Sequence, residues 1–508
     1  MRNLLDQFKA ARRSGTPLLA IEAPDPAATI KAIVAGMSSK DIPFLQWDIV
    51  RGLTPVNKNG DEQLSKFAEG GRAELASLTT NPTEMLAMLV KLKGESVVFV
   101  HNAQRFIDSD SVAQAVWNLR DIFKGCQNTL VLLAPAIVLP SELTHDVLVL
   151  GEPLPDDELL GSIADLVHEA VRAALVGIKE LTKAERANVV RASRGLSAFS
   201  AEQAISMSVT SKGGIDVPEL WERRRKMIEQ TKGLQVYNGG ESFADIGGIA
   251  RIKEFGGKLF SGEVPPTAII WVDEIEKAMA GSGSVGDTSG TSQDQLGVLL
   301  NAMNDNEWAG QICIGPPGCA KSLYAKSLGT SHQVPVIKLD LGAMKGSLVG
   351  QSEQQIRAAI KIIQAVAGKG AYWVATCNQL SSLKPELRRR FTDGVWYFDL
   401  PDETERLTIW ALLRKHYNID RADKQPNDSR WTGADIRNVC SIAYRLRIPL
   451  LDAASYITPV ATSDPASIDK LQTLASGTFL SASAPGVYRK DGATSWDKKP
   501  ADGRKITV

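Results

Sequence analysis

The chain has 508 residues, 44% of them hydrophobic and 23% charged, which is ordinary for a globular protein of roughly two to four domains. Lys and Arg number 58, Asp and Glu also 58, and this zero net charge argues against a general nucleic-acid or membrane-surface binder. No apolar run approaches a membrane span, and Met1 to Arg13 lack a signal-peptide apolar core, so a cytoplasmic location is expected. The five cysteines are scattered without CxxC pairing and read as reduced core residues, and the five histidines form no metal-ligand spacing.

Residues 1–14 carry Leu4, Leu5, Phe8 and Ala11 on one helical face. Strands are expected at 17–21, 44–47, 97–100 and 130–133, with helices over 25–37, 82–93 and 111–124 between them. Strands alternating with helices predict a parallel α/β layer. The turn after the first strand, Glu22 to Pro26, has no Gly-Lys-Ser/Thr, and His101-Asn102 follow Val100 where an ATPase would carry acids. This first unit, 1–155, has the rhythm of a nucleotide-binding domain without its chemistry, and a binding or assembly role suits it better. Residues 156–237 read as helical, with Thr182 and Glu185 spaced as a capping box. The basic run Trp221 to Lys226 reads as a solvated helix face, and Asn238-Gly239-Gly240 as a domain boundary.

The second α/β unit, 238–400, carries the acids. Ala268 to Val272 is an apolar strand ending in Asp273-Glu274. In a phosphate-transfer site such an Asp organises Mg²⁺ and such a Glu polarises water. A Gly/Ser-rich loop over 280–292 leads to a helix over 293–303. Next comes Ile312-Cys313-Ile314, then Gly315-Pro316-Pro317-Gly318-Cys319-Ala320-Lys321-Ser322, then a helix opening at Leu323. Strand, glycine-bearing turn, Lys-Ser and helix make a P-loop. Its N–H groups and helix terminus face a phosphate, the Lys321 ammonium reaches the β- and γ-phosphates, and the Ser322 hydroxyl ligates Mg²⁺. Ala320 stands where a second Gly is usual, which fits if its φ is negative. An ordinary Gly/Pro turn is the plain alternative, and Lys-Ser in register beside the acids outweighs it.

Strands follow at 334–340 and 372–376, the latter ending in Cys377-Asn378, whose amide could orient water or touch a γ-phosphate. Leu387-Arg388-Arg389-Arg390-Phe391 precedes a strand at 395–398, and an arginine there suits a finger reaching a neighbouring subunit's nucleotide. Residues 401–480 read as a helical lid, and 481–508 as an extended or disordered tail.

These motifs resemble the AAA+ ATPases, and most closely the group of cyanobacteria, chloroplast genomes and phages with a degenerate N-terminal AAA-like domain. The resemblance rests on Phe243 to Gly248, with Asp245, Ile246 and Gly247 at the adenine pocket, on Gly315 to Leu323 as Walker A and on Trp271 to Lys277 as Walker B. It rests also on Asn378 as sensor 1, Arg388 to Arg390 as the finger region, Leu348-Val349-Gly350 as the pore loop and Thr432 to Ile436, with Gly433 and Ala434 closing over the adenine. It implies an α/β fold with a helical lid, ATP and Mg²⁺ as cofactors, a homo-oligomeric ring such as a hexamer, and a protein client that the residues do not identify.

One feature departs from the family: Asp273-Glu274 precede Lys321 in the chain. The sequence reads as if blocks 268–311 and 312–370 had exchanged places. All three junctions then fall at strand starts, away from the strand ends that carry the chemistry, so the family's sheet order, 5-1-4-3-2, can be rebuilt by reaching one strand further, about 5 Å. Three functions remain open: a ring-forming Mg-ATP hydrolysing remodeller, a nucleotide-binding scaffold with little turnover, and a DNA-processing ATPase. The neutral charge and the lack of a helix-turn-helix signal count against the last.

Overall fold

The computed structural model describes residues 4–37, 41–67, 80–174, 178–211, 213–276, 291–344, 351–379 and 385–490. The chain divides into two compact units, Met1–Arg224 and Arg225–Val508.

In the first unit six strands form one sheet in the order β3-β2-β4-β5-β1-β6. They are β1 (Leu18–Glu22), β2 (Phe44–Asp48), β3 (Gly52–Pro55), β4 (Val97–Val100), β5 (Thr129–Ala134) and β6 (Leu148–Gly151). All neighbours are parallel except the hairpin of β2 with β3. The near-continuous apolar runs of β1, β4 and β5 are what a sheet covered on both faces requires. Alternation divides them: Leu18 and Ala20 enter one core cluster, Leu19 and Ile21 the other. Helices Asp157–Ala174, Lys183–Ser193 and Ala198–Met207 follow, the second opened by the expected Thr182–Glu185 capping box.

The second unit holds a seven-stranded sheet in the order β13-β12-β9-β11-β8-β10-β7. Its strands are β7 (Leu234–Tyr237), β8 (Ala268–Val272), β9 (Gly310–Ile314), β10 (Val336–Leu339), β11 (Ala371–Cys377), β12 (Val395–Tyr397) and β13 (Leu480–Ser481). Ile270, Val272, Ile312, Ile314 and Trp373 face one core, and Ile269, Trp271, Cys313 and Val374 the other. The P-loop strand β9 lies between β11 and β12, and β8 with its acids is the next strand beyond β11. A buried polar chain ties these layers together: Gln311 Nε2 donates to the Tyr324 hydroxyl at 2.9 Å, and Tyr372 Oη donates to Asp393 at 2.8 Å.

Five consecutive parallel strands of each sheet share one spatial pattern, β6-β1-β5-β4-β2 in the first and β12-β9-β11-β8-β10 in the second. Ranked by chain position within its unit, the first reads 5-1-4-3-2 and the second 5-2-4-1-3. Beyond the sheet, helices Glu403–Tyr417, Gly433–Leu446 and Leu450–Ala454 pack around Trp410, Trp431 and Ile436.

Three details differ from the sequence reading. The division falls upstream of Asn238-Gly239-Gly240, because β7 pairs antiparallel with β10 and so belongs to the second sheet. Residues 481–490 of the expected tail are packed rather than extended or disordered, and 491–508 lie outside the described residues: Ala482 N donates to Tyr397 O at 3.0 Å, and the Tyr488 hydroxyl donates to Asp399 at 2.7 Å. Pairing of β13 with β12 brings Ala482 beside Tyr397. Cys126 is exposed at the end of its helix, whereas Cys313, Cys319, Cys377 and Cys440 are buried as expected.

Candidate nucleotide site

Parallel α/β sheets place ligands outside the carboxyl ends of their strands. At that edge β9 runs into the turn Gly315 to Ala320, and helix Lys321–Ser331 begins. Gly315 is required by space, since a Cβ there would sit 2.1 Å from Phe398 O. Gly318 adopts φ +83°, and a Cβ on it would meet Thr432 Oγ1 at 2.7 Å. Ala320 adopts φ +63°. The negative φ expected there is therefore corrected: the chain turn demands a left-handed residue, and Tyr324 N donates to Ala320 O at 2.8 Å to hold it. Cys319 is turned into the core beside Ile246 and Tyr324, and burial pushes its thiol up to about 12.

Lys321 is buried, and its ammonium donates to Gly315 O at 2.8 Å and Pro316 O at 2.6 Å. Burial lowers its pKa, opposed by nearby groups that include Glu276. The Ser322 hydroxyl donates to Asp273 Oδ1 at 2.8 Å, so residues from two separate chain stretches meet. Lys338 Nζ lies 3.8 Å from Asp273 Oδ2 and 5.0 Å from the Trp271 ring centroid. Asn378 Nδ2 donates to Glu274 Oε1 at 3.2 Å, and Asn378 N to Glu276 Oε1 at 3.0 Å. Glu274 has φ +48°, a left-handed conformation that is uncommon outside glycine.

The helices after the sheet meet the same turn. Thr432 and Asp435 form a capping box at helix Gly433–Leu446, and Ala434 N donates to Gly318 O at 3.3 Å. Ile246 is buried with Cys319, Tyr324 and Leu328, and Leu323 packs against that cluster. Gly247 lies against Ile409, where a Cβ would approach to 2.6 Å, and Glu405 accepts from Ile249 N at 3.0 Å. Asp245 is exposed and its carboxylate accepts from Ser242 N at 2.7 Å, so its charge caps a turn. Arg388 is half-buried, Arg389 is exposed, and Arg390 Nη1 donates to Asn304 Oδ1 at 2.6 Å. The pore-loop residues Leu348-Val349-Gly350, Lys277 and residues 280–290 of the Gly/Ser-rich loop lie outside the described residues.

Sequence reasoning missed Thr376, Lys338 and Glu405, and it included Glu276 in the Walker B stretch without a role of its own. Thr376 could have been found from its place two residues before Asn378, on the strand that separates the acids from the P-loop. Lys338 carried no local signal, because only the pairing of β10 with β8 brings it near Asp273.

The fold is that of a P-loop α/β protein. Residues 4–151 match the N-terminal domain of SpoVK-like AAA ATPases, 157–231 their second domain, and 311–371 the ATPase family associated with various cellular activities. The chain is similar to the uncharacterized AAA domain-containing protein ycf46 of Guillardia theta, 24% identical over 459 residues, covering 78% of this chain and 82% of the relative. It is also similar to the ycf46 protein of Gracilaria tenuistipitata var. liui, 24% identical over 454 residues, covering 77% and 84% respectively. The Pyropia yezoensis protein of the same name is 22% identical over 411 residues, covering 72% of this chain and 73% of the relative. These matches support the AAA ATPase family for this chain. No helix among the described residues is long and apolar enough to cross a membrane.

Proposed function

We propose that this protein is a Mg-ATP hydrolysing ATPase that acts as a ring of like subunits to remodel protein or other macromolecular complexes. The observation that carries the reading is the 2.8 Å contact of Ser322 with Asp273, made across β11 although Asp273 lies 49 residues earlier in the chain. The backbone of Gly315 to Leu323 cradles the phosphates. Lys321 exchanges its two loop carbonyls for β- and γ-phosphate oxygens, and Ile246, Gly247, Gly433 and Ala434 enclose the base. The Asp245 backbone lines the same wall.

A hydroxyl and a carboxylate oxygen are hard donors that suit Mg²⁺, which takes few protein ligands and completes its shell with water and phosphate. Ser322 and Asp273 would hold it, and the ion would neutralise charge on the transferring phosphoryl group. Glu274 accepts a proton from the attacking water while the water oxygen bonds to the γ-phosphorus. The bond from that phosphorus to the bridging oxygen breaks, and ADP leaves with its electron pair. Asn378 holds Glu274 and senses the γ-phosphate. Of the three arginines, Arg389 is best placed as the finger, since it is exposed and Arg390 is engaged with Asn304 within its own chain.

The unusual chain order belongs to the same proposal. The first sheet runs 5-1-4-3-2 in chain rank, and exchanging blocks 268–311 and 312–370 would give the second the same ranks. The junctions are close at the sheet edge away from the site: Thr267 N donates to Gly370 O at 2.9 Å, and Trp373 N to Ala309 O at 3.0 Å. The second reading, a nucleotide-binding scaffold with little turnover, is favoured by the left-handed alanine inside the P-loop.

ATP turnover of the full chain separates the two. On the ATPase reading Glu274→Gln loses at least about 100-fold in kcat while retaining ATP binding, as removal of a general base should do. Turnover unchanged by that substitution would refute the assignment, and ATP binding without turnover in the unsubstituted chain selects the scaffold. Stimulation by added DNA or RNA would point instead to a nucleic-acid-processing ATPase.

A further inference from the structure

Thr376 is buried on β11, between the P-loop strand and the strand that carries the acids. Its hydroxyl donates to Asp273 Oδ1 at 2.8 Å. The same oxygen accepts from the backbone N–H of Glu274 at 2.9 Å. One side chain therefore touches both members of the acidic pair, one through its carboxylate and the other through its main chain. Glu274 stands at φ +48°, and an isolated non-glycine residue relaxes from that conformation unless its surroundings hold it. The Thr376 bond fixes the amide at the start of that residue, and the Asn378 amide, two residues further along the same strand, meets its carboxylate at 3.2 Å. On the other side, Ser322 already donates to Asp273 Oδ1, so that oxygen receives two hydroxyls, one from the P-loop helix and one from β11.

We infer that Thr376 is a positioning residue: it locks the Asp273 carboxylate toward the P-loop hydroxyl and holds the Glu274 backbone in the left-handed turn that aims its carboxylate at Asn378. This inference rests on the ATPase reading of the same site. A hydroxyl is needed because the position must donate and accept at once. Valine has the shape of threonine and can do neither, whereas serine keeps both functions. In this site the hydroxyl preorganises the acid, since a carboxylate already oriented needs no rearrangement when the metal and nucleotide arrive.

The test compares the full-length chain with Thr376→Val, Thr376→Ser and Glu274→Gln. Readouts are kcat, KM for ATP, and the Mg²⁺ concentration giving half-maximal binding of a fluorescent ATP analogue. Thr376→Val should lose about tenfold or more in kcat with KM held within about twofold, and its Mg²⁺ half-saturation should rise several-fold while Mg²⁺-free nucleotide binding stays unchanged. Thr376→Ser should recover most of both. A packing role alone would move KM and thermal stability together and would not be rescued by the smaller serine. Thr376→Val turning over within twofold of the unsubstituted chain, while Glu274→Gln is inactive, overturns the inference and leaves the ATPase reading standing. If the unsubstituted chain binds nucleotide without turnover, the Mg²⁺ half-saturation decides: an unchanged value overturns the inference. Absence of any nucleotide binding overturns both.

Discussion

Ala320 offers the sharpest check on the P-loop geometry. It stands at φ +63° and ψ 12°, directly before helix Lys321–Ser331. A left-handed conformation costs an L-residue with a Cβ about 1–2 kcal/mol relative to glycine. Glycine gives back about 0.4–1 kcal/mol through the greater freedom of its unfolded chain. The balance predicts that Ala320→Gly stabilises the second unit by about 0.5–1 kcal/mol. For a unit of this size that corresponds to a rise of roughly 1–3 °C in melting temperature. Ala320→Val goes the other way by about 2 kcal/mol, since a β-branched residue is a clear outlier at positive φ. Thermal unfolding of the three chains without nucleotide measures both changes, and ATP-analogue binding shows whether the loop remains competent. A lower melting temperature for the glycine variant together with a tolerated valine would mean that the residue sits at negative φ, and the loop geometry described above would be wrong.

Gly318→Ala should destabilise by about 2–3 kcal/mol, because φ is +83° and the new Cβ would press on Thr432 Oγ1 at 2.7 Å. ATP affinity should fall at least tenfold as the lid is pushed from the P-loop, as equilibrium binding would show. In the first unit, burial raises the pKa of Glu152, whose carboxylate accepts from the Thr29 hydroxyl. The folded pKa then lies above the unfolded one, so the stability from this group is full below the unfolded value of about 4.5 and is lost as pH climbs through the folded value. Glu152→Gln should therefore show little advantage in melting temperature near pH 4 and a clear one at pH 8; an advantage that shrinks with rising pH would refute the assignment.

Much of the candidate site was legible because phosphate-binding patterns are short and local. Gly315 to Ser322 needs consecutive residues to shape one turn, and Asp273-Glu274 needs only an apolar strand to deliver them. The Thr432–Asp435 box is also local, because a capping pair closes within one turn of helix. The alternation of apolar runs placed most strands, since a sheet covered on both faces must be built from them. Short, half-exposed strands such as β3, β7 and β13 carried no comparable signal, and their pairing depends on partners far along the chain. The φ of Ala320 was misread for a related reason: the residue is the smallest with a Cβ, but the sign of its φ is set by how the strand must turn into the helix.

The sequence by itself determined which residues could do the chemistry: a P-loop Lys-Ser, a carboxylate pair after a buried strand, an Asn ending another, and arginines before a third. It could not determine that they meet. Acids that precede the P-loop in the chain reach it only because β11 lies between β8 and β9, each in parallel register with it. Hydrogen bonding between strands ignores the order in which they are synthesised, so the tertiary structure alone decided that Asp273, Thr376 and Ser322 share one oxygen.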